Sequence, residues 1–246
     1  MRKYGLIGRK LGHSLSQELF EAQGFKDACY GLYEMETLDG LRQWVEEEHI
    51  SGFNVTIPYK QEVIPLLDAL DDTAAAIGAV NCVSVEEGRL VGHNTDAPAF
   101  QQTLEEWLTT LHSTPSAYIL GTGGAAQAVA YALKQLGLEY MFVSRNPEQH
   151  ENAVGYECFR RENPLENRDI LIVNATPVGM YPDVDATPIM LSTLLSPLST
   201  LLVYDLIYNP SQTLLMREAA ACGAKVRNGL EMLRKQAEIS WQIWGL

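Results

Sequence analysis

Residues 118–137 constrain this chain more than any other stretch. Tyr118-Ile119-Leu120 is a short apolar run of the kind a sheet buries, and it leads straight into Gly121-Thr122-Gly123-Gly124-Ala125-Ala126. Beyond it, Ala125, Ala128, Val129, Ala132, Leu133 and Leu136 recur at three and four, as one buried helix face requires, and Gly137 supplies the stop. A strand that turns through glycines directly into a helix fits the dinucleotide-binding fingerprint in its required context. Gly121 permits the tight turn, Gly123 lets the backbone approach a pyrophosphate, and Ala126 allows close helix–strand packing. The helix start at Gly124 and Ala125 then offers free N–H groups and a positive dipole end to phosphate. The plain alternative is an ordinary strand-to-helix turn.

Around this unit the pattern is that of a doubly wound fold. Residues 140–143, 170–173 and 201–204 are short continuous apolar runs, as buried parallel strands are. A helix is expected at 211–222, ending before Gly223, and a last short strand at 225–227. The first hundred residues alternate differently: strand 3–7, a helix opened near Ser14 and Ser16, strand 30–35, helix 38–48, strand 53–57 and a helix through 67. Residues 79–85 and 89–91 then read as a hairpin turned at Glu86-Glu87-Gly88, which makes the sheet mixed. The expected fold is α/β: an N-terminal substrate domain with a mixed sheet, and a Rossmann-type dinucleotide-binding domain. A final helix is expected at 231–244.

Composition narrows the partners. The formal charge is −13, from 18 basic and 31 acidic residues, with no basic tract to offset it, so nucleic acid and anionic membranes are not expected partners. No apolar run reaches membrane length, and the N-terminus lacks a basic-then-apolar pattern, which points to the cytoplasm. Glu46-Glu47-Glu48 reads as a solvated helix face. The four cysteines, Cys29, Cys82, Cys158 and Cys222, show no Cys-x-x-Cys pairing and read as small buried hydrophobes in a reducing compartment. No metal site is suggested. His13 and His93 lie inside motifs, but a titrating histidine needs an orienting partner that sequence does not show.

The chemistry concentrates in Gly52-Phe53-Asn54-Val55-Thr56-Ile57-Pro58-Tyr59-Lys60. Pro58 cannot donate to a ladder and ends the strand. Asn54 and Thr56 share a face by period two, with Lys60 just beyond, so amide, hydroxyl and amine are offered together, a good place to hold a small polyol. The alternative is a strand end with a solvated lysine.

Further blocks accompany this one in order: His13-Ser14-Leu15-Ser16, Gly78-Ala79-Val80-Asn81, Gly92-His93-Asn94-Thr95-Asp96, the glycine turn, Asn174-Ala175-Thr176-Pro177-Val178-Gly179-Met180, Asp205-Leu206-Ile207-Tyr208-Asn209-Pro210, and a closing segment from Gly229 that contains Met232 and Gln236. Over essentially the whole length the set resembles the shikimate dehydrogenase (shikimate 5-dehydrogenase) family. The resemblance implies NADP-dependent, reversible reduction of 3-dehydroshikimate to shikimate in chorismate and aromatic amino acid biosynthesis, in a cleft between two domains. It implies a discontinuous first domain, 1–97 with 230–246, and a dinucleotide domain at 98–229.

By the same resemblance Lys60 and Asp96 are catalytic. Lys60 would give the proton that a forming alkoxide needs, and Asp96 would orient it, unless Asp96 serves as the N-cap of a helix starting near Ala97-Pro98. Ser14, Ser16, Thr56, Asn81, Tyr208 and Gln236 match substrate-binding positions. The two serines, at a helix start, suit a carboxylate, with plain capping as the alternative. Gly121, Gly123, Gly124, Ala125, Ser144, Arg145, Asn174, Thr176, Leu206, Gly229 and Met232 match cofactor positions.

After residues 140–143 an acid would select the ribose hydroxyls of NAD and an arginine the 2′-phosphate of NADP. The chain has Ser144-Arg145-Asn146 and no acid there. It keeps the arginine of the family's Asn-Arg-Thr-x-x-Arg pattern but carries Gln149 at the second basic position, so NADP is the expected cofactor with reduced selectivity over NAD. A quinate/shikimate dehydrogenase using NAD stays open as an alternative, as does a non-catalytic dinucleotide-binding regulator. The expected partner is the small-molecule substrate, with the chain a monomer or homodimer.

Overall fold

The computed structural model describes residues 1–12, 14–109, 114–162, 169–191 and 200–246. The chain divides into two compact units, Met1–Ala99 with Leu233–Leu246, and Phe100–Met232.

In the first unit the chain runs β1 (Arg2–Gly8), α1 (Ser16–Glu21), β2 (Ala28–Glu34), α2 (Leu41–Glu47), β3 (Ile50–Val55), β4 (Ala69–Leu70), α3 (Asp72–Ile77), β5 (Cys82–Glu86) and β6 (Arg89–His93). The sheet order is β2-β1-β3-β5-β6-β4; β1 pairs parallel with β2 and β3, whereas β5 is antiparallel to β3 and β6. The sheet is therefore mixed, as the sequence pattern requires. β1 is buried on both faces, and its alternation serves two cores. Ile7 packs with Phe53, Val55 and Val83, while Tyr4 and Leu6 pack with Ala237, Trp241 and Trp244. The hairpin turns on Glu87 and Gly88, both with positive φ, a two-residue turn whose twist suits paired strands.

Three expectations need correction here. The strand expected at 53–57 begins three residues earlier and ends two earlier, because Ile50 pairs with Lys3 and Ile57 is more than half exposed. No α-helix follows it. The segment is a series of turns ending in a 3-10 turn, Ile64–Leu66, with Pro65 unable to donate. The missed helix is α3, although its signals were present: the Asp71 side chain accepts from Ala74 N–H, and Gly78 ends the helix at φ 69°. Of the cysteines only Cys82 is buried; Cys29 and Cys158 are half-buried and Cys222 is exposed.

α4 (Asp96–Leu108) carries the chain into the second unit. There follow β7 (Ser116–Leu120), α5 (Gly124–Gln135), β8 (Tyr140–Ser144), β9 (Ala153–Gly155), α6 (Tyr156–Glu162), β10 (Ile170–Asn174), β11 (Leu201–Asp205), α7 (Leu214–Ala221) and β12 (Lys225–Arg227), before α8 (Leu230–Ile243). The order is β12-β11-β10-β7-β8-β9, parallel throughout. This is the doubly wound arrangement, with the reversal of strand order between β7 and β10. Its core gathers Leu120, Val143, Ile170, Ile172 and Val203 from the strands with Phe159, Leu215 and Ala219 from the helices. The short β9 and α6 had no clear periodicity in sequence. No helix among the described residues is long and apolar enough to cross a membrane.

Candidate functional site

Lys60 and Asp96 meet. Lys60 Nζ stands 2.6 Å from Asp96 Oδ2, with side chains only 15% and 8% exposed. The backbone of Lys60 is pinned because its C=O accepts from Val80 N–H at 2.7 Å. Asp96 is the first residue of α4, and the capping that sequence had offered it falls to Asn94, whose Oδ1 accepts from Ala97 N–H at 3.1 Å. The Asp96 carboxylate is thereby left for the lysine. A pair so nearly buried gains less from mutual attraction than it loses in hydration unless its geometry is well fixed, and this geometry is fixed from both ends.

Beside the pair lies a polar cluster. Asn81 Oδ1 accepts from Thr95 N–H at 2.6 Å, and its Nδ2 donates to Thr95 Oγ1 at 2.9 Å and to Gln236 Oε1 at 3.4 Å. Gln236 Nε2 donates to Leu233 C=O. Asn81, Thr95, Gln236 and Ser240 are all buried. Sequence reasoning missed Thr95 and Ser240 as members, although Asn94-Thr95-Asp96 had marked the place of the first. Asn54 is a correction. Its Oδ1 accepts from Tyr30 hydroxyl, and its Nδ2 donates to Asn81 C=O and to Ser240 Oγ. Its amide is spent on supporting Asn81 rather than offered to a polyol.

The remaining first-unit candidates are simpler. Ser14 Oγ donates to Ser16 Oγ at 3.1 Å and accepts from Ser16 N–H, while the residue before α1 has no side-chain cap. Both serines are half-buried, as is Thr56. His93 is held at both ring nitrogens, by Asp71 Oδ2 and by Ser84 Oγ, each at 2.9 Å. Burial raises the Asp71 carboxyl, but hydrogen bonds from His93 and from Ala74 N–H outweigh it and hold the group below the usual carboxylate range. His13 lies outside the described residues.

In the second unit the strand-to-helix turn has the form that a dinucleotide needs. Gly121 adopts φ +100°, which side chains resist, and a Cβ there would press on Thr176 at 3.1 Å. Nothing stands within 4 Å of a Cβ built on Gly123, so the backbone is open to close approach. No side chain caps α5 at Gly123, which leaves the N–H groups of Gly124 and Ala125 available to phosphate. At the end of β8, Ser144 is buried and accepts from Asn146 N–H, while Arg145 and Gln149 are exposed. The residues present fit a dinucleotide.

Asn174, Thr176, Leu206 and Gly229 are brought together. Asn174 Oδ1 accepts from Thr176 N–H and Oγ1 at 3.1 and 2.7 Å, and Leu206 N–H donates to Asn174 C=O at 3.0 Å. Gly229 lies so close to Leu206 that an added Cβ would fall 2.0 Å from its carbonyl oxygen. At the centre of these contacts is Asp205, which sequence reasoning quoted within a motif but gave no role. Met232 is buried at an apolar helix position, and Tyr208 is half-buried.

Residues 6–83 match the family model of the shikimate dehydrogenase substrate binding domain. A shikimate dehydrogenase (NADP(+)) of Methanococcus maripaludis is 36% identical over 262 residues, covering 98% of this chain and 90% of that one. The structure of shikimate 5-dehydrogenase from Thermus thermophilus, in complex with NADP(H) and shikimate, is similar with a TM-score of 0.84 and 34% identity, over 100% of this chain and 94% of that chain. Quinate dehydrogenase from Corynebacterium glutamicum, in complex with NAD, gives a TM-score of 0.82 and 30% identity, again over 100% and 94%.

Proposed function

The chain belongs to the shikimate dehydrogenase family, and from that premise we propose that it reduces 3-dehydroshikimate to shikimate, reversibly and with NADP, as a step of chorismate biosynthesis. The observation that carries the reading is the Lys60–Asp96 pair, 2.6 Å apart and nearly buried beside Asn81 and Gln236. NADPH, when bound, supplies the hydride that reduces the ketone carbon. Lys60 supplies the other half of the reaction: its ammonium group stabilises the developing alkoxide and donates a proton to that oxygen. Asp96 keeps the ammonium aimed, and in the reverse direction the pair takes the proton back.

Binding is divided among the other candidates. Ser14 and Ser16 present hydroxyls to the substrate carboxylate. Thr56, Asn81, Gln236 and Tyr208 pair with ring hydroxyls, and an analogue lacking one would leave a buried polar group unsatisfied. Gly121, Gly123, Gly124 and Ala125 receive the pyrophosphate, Ser144 and Arg145 the 2′-phosphate side, and Asn174, Thr176, Leu206, Gly229 and Met232 the nicotinamide half. The setting we propose is the cytoplasm.

One observation favours a second reading. With Gln149 where a second cation would stand, Arg145 is the one basic residue of the pattern that remains, and an NAD-using quinate/shikimate dehydrogenase follows if it does not suffice. Assays of shikimate and quinate with NADP and NAD decide the matter. Turnover of shikimate with NADP is expected. Outright preference for NAD or quinate promotes the second reading, and folded protein without absorbance change in any combination leaves only a dinucleotide-binding regulator.

A further inference from the structure

Asp205 is the buried acid that this chemistry leaves unused. It ends β11, is wholly shielded from solvent, and stands in register beside Asn174 at the end of β10. Its Oδ1 accepts from Asn174 Nδ2 and from Ile207 N–H, both at 3.0 Å, and its Oδ2 accepts from Thr213 hydroxyl at 2.7 Å. These bonds join the residues assigned above to the nicotinamide half. Asn174 carries Thr176 and Leu206, and Ile207 C=O accepts from Gly229 N–H at 3.1 Å. Thr213 in turn caps α7, its Oγ1 accepting from Met216 N–H.

The groups that face the carboxylate are thus an amide on β10, a backbone N–H in the loop after β11 and a hydroxyl before α7. All are neutral donors. Among the described residues no Lys, Arg or His lies within ion-pair distance of it. Burial pushes the Asp205 carboxyl above its usual range, against the three hydrogen bonds that lower it. Taking a carboxylate out of water is costly unless an opposite charge offsets it. Neutral donors call for an acceptor, not for a charge, so the charge itself needs an explanation.

The fold supplies one. In a doubly wound sheet ligands bind at the carboxyl ends of the strands, near the reversal of strand order, and Asn174 and Asp205 close two such strands. The oxidised nicotinamide ring carries a positive charge and the reduced ring carries none. We propose that Asp205 positions the two cofactor-facing loops and that its carboxylate is the counter-charge which makes the protein hold NADP+ more tightly than NADPH. The inference rests on the NADP reading above and adds a selectivity to it.

The test is the affinity of the folded protein for NADP+ and for NADPH, by calorimetry, in the parent, Asp205→Asn and Thr213→Val. In Asp205→Asn, NADP+ should weaken about fivefold, as suits the loss of one partly screened charge, and NADPH by less than twofold. Thr213→Val keeps the charge but loses one loop bond, so both forms should weaken alike. Equal losses in Asp205→Asn would overturn the counter-charge and leave only a bracing role. Should Asp205→Asn fail to fold, the parent decides. Its preference for NADP+ should shrink as pH falls toward the carboxylate range, where Asp205 takes up its proton ahead of ordinary acids, and a flat ratio overturns the proposal. A parent that binds neither form overturns the NADP reading as well, whereas binding of both without selectivity overturns this inference alone.

Discussion

Both units bury an aspartate among polar groups, and they treat it in opposite ways. In the first, Asp96 meets a lysine at 2.6 Å, so its charge is matched by a partner that can itself give up a proton. In the second, Asp205 meets only neutral donors among the described residues, from Asn174, Ile207 and Thr213. The difference separates two uses of a buried charge. A carboxylate paired with an ammonium group fixes that group while leaving its proton transferable. A carboxylate wrapped in amide and hydroxyl donors fixes the backbone around it and presents a standing field. Proton transfer is thus expected of the first unit, and orientation with electrostatic bias of the second.

Substitution at the pair should give the largest effect. Lys60→Ala is expected to lower kcat by about a hundredfold or more with little change in KM, since the lost interaction belongs to the transition state. Asp96→Asn should also slow turnover, because an amide offers the lysine no charge. Steady-state rates within threefold of the parent for either variant would break the contrast by making that residue structural. The two serines proposed to hold the substrate come next. Ser14→Ala or Ser16→Ala should weaken shikimate binding by roughly 1.5–3 kcal/mol, the worth of a hydrogen bond to a charged group, and leave NADP binding unchanged in the same calorimeter. A lower melting temperature with intact binding would return them to a structural role.

Cofactor choice should respond less. Arg145→Ala is expected to cost several-fold in NADP affinity and less in NAD affinity, because on the proposed reading the guanidinium meets a phosphate, whereas the hydroxyl of NAD is neutral. Gln149→Arg should strengthen NADP binding selectively, and added salt should blunt the gain because both side chains are exposed at those positions. Equal losses for both cofactors would show that Arg145 stacks on adenine without reading the phosphate.

The smallest effect sharpens the comparison through pH. Asp71 has its carboxyl held below the usual range, so the stability it contributes is present above the carboxylate's ordinary pKa and is lost as pH falls through the lowered one. Asparagine keeps the cap, so Asp71→Asn should destabilise by about 1 kcal/mol or less at neutral pH, through the lost charge beside His93, and the gap should close in acid. Asp205 carries the opposite sign. Its raised pKa favours the folded state when the group is protonated, and that contribution disappears as pH rises through the folded value. Melting curves of Asp71→Asn and Asp205→Asn against pH should diverge from the parent in opposite directions, and parallel curves would refute the assignment of sign.

The second unit was the more legible in sequence, and for a physical reason. Strands buried on both faces, such as Ile170–Asn174 and Leu201–Asp205, are continuous apolar runs too short for a helix and rich in β-branched residues or leucine. The first unit mixes exposed and buried faces, and there the reading slipped: β3 was placed late, and the segment after Pro58 was given a helix that Pro65 interrupts. Asn54 shows a subtler limit. Period two tells which residues share a face, but not that Tyr30 and Ser240 wait beneath it. Asp205 was opaque for the same reason, since its donors come from positions 174 and 213. The pairing of Lys60 with Asp96, by contrast, was legible because two short motifs pointed to it, and the role left open for Asp96 as a cap was closed only by seeing Asn94 take it.

The helix α8 carries an implication for how the molecule comes into being. Gln236 and Ser240 complete the polar cluster of the first unit, and Ala237, Trp241 and Trp244 fill its core, with Trp244 Nε1 donating to Val83 C=O. Residues 1–99 are separated from these side chains by the whole of Phe100–Met232, which is contiguous. On the ribosome the earlier-made unit must therefore wait, with Tyr4, Leu6 and Tyr30 uncovered, while the later one can close as soon as it emerges. The half that holds the Lys60–Asp96 pair is thus the half finished last, and a nascent chain arrested before position 233 would carry a finished nucleotide module beside an unfinished one.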